Sequence, residues 1–383
     1  MRHAGVAAGA TVVDLSTGQR LYERKGTIPR IPASVEKLYT TATALSRLGP
    51  EATLDTTVTG KGELDERGVW RGDLYLKGFG DPSLGATGIA ELVAQVRGAG
   101  IERVAGHVYG DDSFFDARRG VPASAYRISR YVGPLSALSY GHTVDRVRGG
   151  FQSKPPVYAA ARLATALRDA GVAVDEASHS GTAPADLTPI ASVSSPPLAA
   201  LAQMTNRPSD NFFAETLLKG LGARLADEGS TSAGAGVVEA ELERFGIAPR
   251  IVDGSGLSRR NRTTPRAVVT LLAQMRTGPA ASAFVSSLSV VGENGTLARR
   301  MRGSAAQGHC RGKTGTLSNV SALAGYCRAA DGRTLAFAFL MNRTGISRAH
   351  LVQDRMTIAL ARYRGAAAVT PEPEATPATA PRR

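Results

Sequence analysis

Three short polar motifs, each occurring once, constrain this 383-residue chain more than any other feature of its sequence. They are Ser34-Val35-Glu36-Lys37, Ser209-Asp210-Asn211 and Lys313-Thr314-Gly315, in that order. The first two are weak signals when taken singly, whereas the third is rarer. Because the chain has only seven lysines and two of them lie in these motifs, chance explains the set poorly. We therefore expect the three segments to form one active site.

The first motif predicts a nucleophile and its base at the start of a helix that ends at Gly49-Pro50. The apolar positions of this helix are Leu38, Ala42, Leu45 and Leu48. A serine hydroxyl reacts when a base takes its proton, and an amine can be that base if it is neutral part of the time. Burial and a nearby cation, for which Lys313 is the candidate, would lower the pKa of Lys37. Alternatively, Ser34 is only a helix cap and Lys37 is solvated.

The third motif is predicted to lie on a strand. Residues 311–317 and 320–326 have the pattern of two strands joined by the tight turn Ser318-Asn319, and a third apolar strand follows at 334–341.

Residues of the third motif and its neighbour Thr316 would contact a substrate. Gly315 lets a ligand backbone approach the strand edge, while Lys313, Thr314 and Thr316 offer a cation and two hydroxyls to a substrate carboxylate. Ser209-Asp210-Asn211 begins a long helix, for which a capping role is the alternative.

The two cysteines are predicted to face each other. With a two-residue turn at 318–319, residue 317 pairs with 320, and the same register places Cys310 opposite Cys327. They could form a disulfide that braces the strand bearing Lys313. A reduced pair stays open, because one bulge would break the register.

The order of predicted elements indicates an α/β architecture. A hairpin at 11–14 and 20–23 joins the three late strands in a five-stranded antiparallel sheet, with helices on both faces. The terminal helix, about 346–363, packs on the sheet, and a mostly helical region, roughly 195–300, supplies Ser209.

The predicted domains follow from this order. Residues 1–53 and 191–364 form one domain, which is interrupted by a glycine-rich inserted α+β domain at 54–190. Residues 365–383 have the Pro- and Ala-rich composition of a disordered tail.

The net charge of +13 would attract an anionic polymer such as cell wall, but also nucleic acid. Nucleic acid is not expected, because the basic residues are dispersed in runs of at most two. The six histidines and two cysteines show no metal-binding spacing, so neither metal nor cofactor is expected. The sequence contains no run of 18 or more apolar residues, so an integral membrane span is not expected.

Beyond the three motifs, the chain resembles the peptidase S13 family of serine DD-peptidases, which are low-molecular-mass penicillin-binding proteins, from about residue 10 to about residue 363. The further similar stretches are residues 72–84, 108–115, 253–259 and 318–326. The resemblance implies a β-lactamase/transpeptidase-like fold. The interval between Ser34 and Ser209 is shorter than is usual in the family, which implies a reduced inserted domain.

The resemblance also implies catalytic roles. Ser34 would be the acylated nucleophile and Lys37 its general base. Ser209 would pass a proton to the leaving amine, and Asn211 would orient Lys37 and the substrate amide.

Substrate-binding roles follow in the same way. Lys313 and Thr314 would bind the substrate carboxylate and relay protons, and the N–H groups of the nucleophile and of Thr316 would form the oxyanion hole. Asp111 and Arg259 would hold the amino and carboxyl ends of a diaminopimelate side chain.

The implied activity is that of a serine-type D-Ala-D-Ala carboxypeptidase, with DD-endopeptidase activity as a further expectation, acting on peptidoglycan stem peptides and covalently inhibited by β-lactams. The alternatives are a β-lactamase or esterase on the same fold, or a non-catalytic penicillin-sensing or wall-binding protein. The substrate implies an extracytoplasmic location, although Met1–Ala8 shows no signal sequence. Either the start is truncated or the protein stays in the cytoplasm, and we favour truncation.

Overall fold

The computed structural model describes residues 7–365, so the predicted tail lies, from residue 366 on, outside the described residues. The strands are β1 (Ala8–Asp14), β2 (Arg20–Arg24), β3 (Asp55–Leu64), β4 (Val69–Gly78), β5 (Arg103–Val104), β6 (Val108–Asp111), β7 (Ala173–Val174), β8 (Ser178–Ser180), β9 (Thr188–Ser194), β10 (Ser289–Val290), β11 (Cys310–Leu317), β12 (Val320–Arg328) and β13 (Thr334–Asn342). The helices are α1 (Lys37–Leu48), α2 (Ala86–Gly98), α3 (Pro155–Asp169), α4 (Leu198–Asn206), α5 (Asn211–Leu225), α6 (Thr231–Arg244), α7 (Pro265–Gln274), α8 (Ala281–Ser286) and α9 (Ile346–Ala361).

The first sheet is antiparallel and has the order β10-β11-β12-β13-β1-β2. It contains all five strands expected from the sequence. The predicted number of strands is corrected to six, because the two residues of β10 pair with Arg311 and Gly312 at the edge of β11. A two-residue strand is too short to show the alternation that sequence periodicity can detect.

Helices cover both faces of this sheet. Strand β12 places Ala322 and Ala324 in a core with α1 and α4 to α8, and Leu323 and Cys327 in a second core with α9. Successive strand residues point to opposite faces, so a strand buried on both sides is apolar throughout. The α/β fold class predicted from the sequence is confirmed.

The second sheet is built from residues 55–194, where the sequence predicts the inserted segment. Its main path is β7-β5-β4-β3-β9, and β6 pairs with β4 and β8. Helices α2 and α3 cover one face through a core that includes Leu76, Val108, Leu92 and Leu163. The domain boundaries themselves stay a prediction.

Helix α5 ties the two parts of the molecule together. Lys219, buried on α5, donates hydrogen bonds to the Asp116 carboxylate (2.6 Å) and to the Arg118 carbonyl (3.1 Å). Arg224, one further α5 residue, donates to the Phe79 carbonyl at 2.6 Å. These bonds hold the inserted segment against the helix that begins at Asn211. Within residues 7–365, no helix is long and apolar enough to cross a bilayer.

The predicted cysteine register is confirmed. Cys310 lies opposite Cys327 across β11 and β12, and the two are joined as a disulfide. The bond fixes the start of the strand that carries Lys313 to its neighbour.

Replacing both cysteines with alanine should lower the free energy of unfolding by about 3 kcal/mol, because the bond closes a loop of 17 residues in the unfolded chain. Urea titrations of the wild type with and without reductant, beside the double variant, measure this. Reductant should destabilise only the wild type. Two free thiols in unfolded, unreduced protein would contradict the bond.

Candidate active site

Ser34 lies on a tight turn and not in the helix itself. Residues Ala33–Glu36 form a single 3-10 turn that continues into α1 at Lys37. Ala33 has a φ of 48°, an uncommon backbone conformation for a residue with a side chain. The turn brings the Lys37 amine to 3.1 Å from the Ser34 hydroxyl.

Two glycines let other segments pack directly against this turn. A Cβ at Gly315 would lie 2.7 Å from the Pro32 carbonyl and 2.9 Å from the Ser34 nitrogen. A Cβ at Gly256, whose φ is +83°, would lie 2.0 Å from the Ala33 carbonyl. The close approach at Gly315 is thus made by the turn that carries Ser34, whereas the sequence predicted a ligand there.

The Lys37 amine is fully buried and has three hydrogen-bond acceptors. It donates to the Ser34 hydroxyl (3.1 Å), to Asn211 Oδ1 (2.7 Å) and to the Ser255 carbonyl (2.7 Å). Burial disfavours the charged form and lowers the pKa of Lys37 to about 8, against the opposing effect of buried carboxylates. The amine can therefore be neutral near physiological pH, which a general base requires.

Lys313 on β11 is also fully buried. It donates to the Thr314 carbonyl at 2.9 Å. Burial, followed by the charge of Lys37, lowers the pKa of Lys313 well below its ordinary value. The two buried amines are thus near enough for the charge of one to affect the other.

A loop formed by residues 253–258 holds the carbonyl that binds Lys37. Glu215 accepts hydrogen bonds from the backbone N–H groups of Gly254 (3.2 Å) and Ser255 (2.9 Å). Burial and the neighbouring Asp253 raise the pKa of Glu215 to about 8. Sequence analysis did not select Glu215, although it lies four residues after Asn211 and so on the same helix face.

Glu36 is a second buried carboxyl group that sequence analysis missed. It is fully buried, and neither of its oxygens has a hydrogen-bond partner among residues 7–365. Burial, with a smaller effect of Asp253, raises the pKa of Glu36 well above its ordinary value. Glu36 is therefore most stable as the neutral, protonated acid.

In the second motif, Asp210 caps a helix and Asn211 contacts Lys37. Asp210 caps α5 by accepting a hydrogen bond from the Phe213 N–H at 2.9 Å. Ser209, immediately before it, has a φ of 64° and is half-buried. Asn211 accepts a hydrogen bond from Lys37 and donates one to the Tyr131 carbonyl at 2.9 Å, so it links Lys37 to the inserted segment.

The outer edge of β11 is open beyond β10. Strand β10 pairs only with Arg311 and Gly312, and no other strand among the described residues pairs with this edge. The Thr314 hydroxyl is 2.7 Å from that of Thr296, and Thr316 is exposed. An extended peptide could bind here as an added strand.

Arg259 lies beside the end of β11, whereas Asp111 lies in the second sheet. Arg259 donates to the Ser318 carbonyl (3.0 Å) and to Asn319 Oδ1 (2.9 Å), at the turn that ends β11. Asp111 is buried in the second sheet, where it accepts from the Ser113 and Ala183 N–H groups and lies 3.3 Å from the Lys77 amine. Among the described residues, the Asp111 carboxylate contacts none of the other predicted site residues, so its role at the site stays a prediction.

Residues 3–140 and 149–363 match the sequence model of the family described as D-Ala-D-Ala carboxypeptidase 3 (S13). The D-alanyl-D-alanine carboxypeptidase of Actinomadura sp. (strain R39) is 32% identical over 444 aligned residues, covering 94% of this chain and 82% of the relative. The crystal structure of penicillin binding protein 4 (dacB) from Haemophilus influenzae is similar with a TM-score of 0.81 and 21% identity, covering 94% of this chain and 98% of that chain. The crystal structure of the same protein complexed with a β-lactam has a TM-score of 0.77 and 20% identity, and the match covers 93% of this chain and 96% of that chain.

Gly315→Ala should lower the free energy of unfolding by about 1–3 kcal/mol, because the added methyl group would overlap the Ser34 turn. Gly236→Ala is the control, since nothing lies within 4 Å of a Cβ at that helical position. The control should be neutral or slightly stabilising. Urea denaturation of both variants measures the difference, and equal stabilities would show that β11 does not confine the turn.

Proposed function

Because this chain belongs to the D-Ala-D-Ala carboxypeptidase 3 (S13) family, we infer that it is a serine-type D-Ala-D-Ala carboxypeptidase that acts on peptidoglycan stem peptides. It is a hydrolase, and Ser34 forms its acyl-enzyme. The observation that carries this conclusion is the buried Lys37 amine, which lies 3.1 Å from the Ser34 hydroxyl and has a pKa lowered to about 8.

Acylation begins when Ser34 Oγ attacks the carbonyl carbon of the peptide bond between the two D-alanines. Neutral Lys37 takes the hydroxyl proton as the C–O bond forms. The carbonyl oxygen becomes negative, and the N–H groups of Ser34 and Thr316 stabilise it. The proximity of Gly315 to the Ser34 nitrogen supports this pairing, since it holds the turn against β11.

Collapse of the tetrahedral intermediate breaks the C–N bond. The proton held by Lys37 passes through Ser209 to the leaving amine, and terminal D-alanine departs. Its carboxylate is bound by Lys313 together with the Thr314 and Thr316 hydroxyls, along the open edge of β11. Water then hydrolyses the ester and restores the Ser34 hydroxyl.

A β-lactam is attacked at its amide in the same way, which makes it a covalent inhibitor. The structural neighbour solved with a β-lactam supports this assignment. DD-endopeptidase activity needs the same chemistry on a cross-linked stem, so the open strand edge is compatible with both reactions.

The working location is outside the cytoplasm. The disulfide supports it, since structural disulfides persist mainly in oxidising compartments. The net charge of +13 favours association with an anionic wall polymer.

Ser34→Ala should abolish covalent labelling by a fluorescent penicillin and release of D-alanine, because no other group replaces the nucleophile. Ser153→Ala, at an exposed serine of the inserted segment, is the control and should label normally. Mass spectrometry of the intact protein should show a stable penicillin adduct on the wild type. Labelling of the Ser34→Ala variant would refute the assignment, and rapid turnover of the adduct would indicate a β-lactamase.

The rate of penicillin acylation should rise about tenfold per pH unit below pH 8 and level off above it. The sign follows from Lys37, since its protonated form, which dominates below its pKa, cannot accept the Ser34 proton. Stopped-flow acylation between pH 6 and pH 10 measures the profile. A rate independent of pH over this range would show that Lys37 is not the base.

A further inference from the structure

A cleft lies at one end of the first sheet, where β1 and β12 begin and β2 and β13 end. Its volume is about 520 Å³, and no aspartate or glutamate lines it among the residues that the structure describes. Its basic lining residues are Lys25, Arg30, Arg259, Arg262 and Arg343. Because four of these five are arginines, we call it the arginine cleft.

The chain segments that form the arginine cleft contain no acidic residue over long stretches. Residues 24–35 have no aspartate or glutamate, and the same is true of residues 254–292 and 332–353. Glu23, the acid that immediately precedes the first of these segments, is paired with Arg266 at 2.6 Å. The positive charge of the cleft is therefore not compensated by the segments that carry it.

Arg30 is buried in the wall of the cleft without a carboxylate partner. It is 4% exposed, and its guanidinium donates hydrogen bonds to three neutral backbone carbonyls, those of Ala7 (3.0 Å), Lys25 (3.1 Å) and Ile28 (2.6 Å). A Cβ at Gly9 would lie 2.6 Å from Arg30 Nη1, so β1 accommodates the guanidinium by having no side chain there. Burial lowers the pKa of Arg30, and a buried charge is ordinarily paired with an opposite one.

Backbone pairing brings two further arginines to the same cleft. Arg30 exchanges two backbone hydrogen bonds, of 2.7 and 3.0 Å, with the residue that follows Arg262. The Ile31 backbone exchanges two hydrogen bonds, of 2.9 and 3.1 Å, with the side chain of Asn342, which precedes Arg343. Three segments that are distant in the sequence are therefore fixed to one another, and each contributes a guanidinium group.

These three guanidinium groups have no carboxylate partner in the part of the chain that the structure describes. The ion pairs found there include none of Arg30, Arg262 and Arg343. The Arg262 side chain donates to two backbone carbonyls, which are neutral. An anion that enters the cleft would therefore meet three guanidinium groups without displacing a carboxylate.

Arg259 marks the border between the arginine cleft and the proposed active site. Its guanidinium donates to the Ser318 carbonyl (3.0 Å) and to Asn319 Oδ1 (2.9 Å), at the turn that ends β11. Among the described residues that line the cleft, none is a proposed catalytic residue. The cleft thus lies beside the proposed active site but is separate from its reacting groups.

The number of guanidinium groups and their separate origins favour a phosphate group as the ligand. A phosphate presents oxygen acceptors in tetrahedral directions, so guanidinium groups from three segments can each bind a different oxygen. A carboxylate has two oxygens in one plane and a single charge. Clusters of arginines are a recurring means of recognising phosphorylated groups.

We propose that the arginine cleft binds a phosphate group through Arg30, Arg262 and Arg343. A phosphate-containing polymer and a free phosphate ion share this chemistry, and the experiment below distinguishes them. A polymer bound here would hold the protein beside the open edge of β11. The proposal is independent of the reaction at Ser34.

Isothermal titration calorimetry at constant ionic strength tests the ligand class. The probes are inorganic phosphate, poly(glycerol phosphate) and, as a polymer of carboxylates, poly-L-glutamate. We expect phosphate groups to bind the wild type at least tenfold more tightly than the carboxylate polymer does. Binding of poly(glycerol phosphate) would identify a polymer as the source, and binding of inorganic phosphate alone would identify the free ion.

Two double variants assign the binding to the cleft. Arg262→Gln combined with Arg343→Gln should weaken phosphate binding at least tenfold and leave Arg30 in place. The control, Arg97→Gln combined with Arg355→Gln, removes the same charge from exposed positions on α2 and α9 and should change the affinity less than twofold. Without phosphate, thermal unfolding should show the cleft variant to be at least as stable as the wild type, because like charges repel.

The remaining outcomes would overturn the proposal. An equal loss of affinity in both double variants would show only a general attraction of anions to a protein with a net charge of +13. Equal affinity for poly-L-glutamate would refute the choice of phosphate. A tenfold fall in kcat/KM for D-alanine release from a soluble stem peptide in the cleft variant would assign these arginines to the peptide substrate instead. If penicillin fails to acylate Ser34 while phosphate still binds, the proposed function fails and this proposal stands.

Discussion

The site depends on one interaction, the burial of the Lys37 amine among three oxygen acceptors. These acceptors come from the turn at Ser34, from Asn211 at the start of α5 and from Ser255 in the loop at 253–258. An amine removed from water loses its preference for the charged form, so the packing of three distant segments sets its chemistry. A shift of these segments that readmits water would return the pKa of Lys37 towards its ordinary value.

The buried carboxyl groups that interact with Lys37 differ in their hydrogen-bond partners. Asp253 accepts the N–H groups of Gly256 (2.9 Å) and Ser258 (2.6 Å), and Glu215 accepts two further N–H groups of the same loop. Such bonds stabilise a carboxylate without a counter-ion, whereas Glu36 has no such partner. Burial raises the pKa of all three carboxyl groups, and hydrogen bonds from N–H groups oppose that rise at Glu215 and Asp253, whereas no hydrogen bond among the described residues opposes it at Glu36.

Sequence reasoning succeeded where short-range rules apply. The two-residue turn at 318–319 determines the strand register, which in turn places Cys310 opposite Cys327. It cannot reach a role that depends on contacts between distant segments. Asp111 has the same sequence surroundings whether its carboxylate faces a cleft or Lys77, and nothing local relates Tyr131 to Asn211. The role of Glu215 could have been suspected from its spacing to Asn211, but not its bonds to a loop that lies about 40 residues later in the chain.

The first sheet takes neighbouring strands from the two ends of the described chain. Ala8 on β1 faces Met341 on β13, and Ile31 exchanges two hydrogen bonds with the Asn342 side chain. During synthesis the segment bearing Ser34 therefore leaves the ribosome long before its partner strands exist. At a translation rate of about 5–20 residues per second this interval lasts on the order of tens of seconds. The packing of β11 against the Ser34 turn, and with it the reactivity proposed for Ser34, is therefore delayed until the last strands have been made.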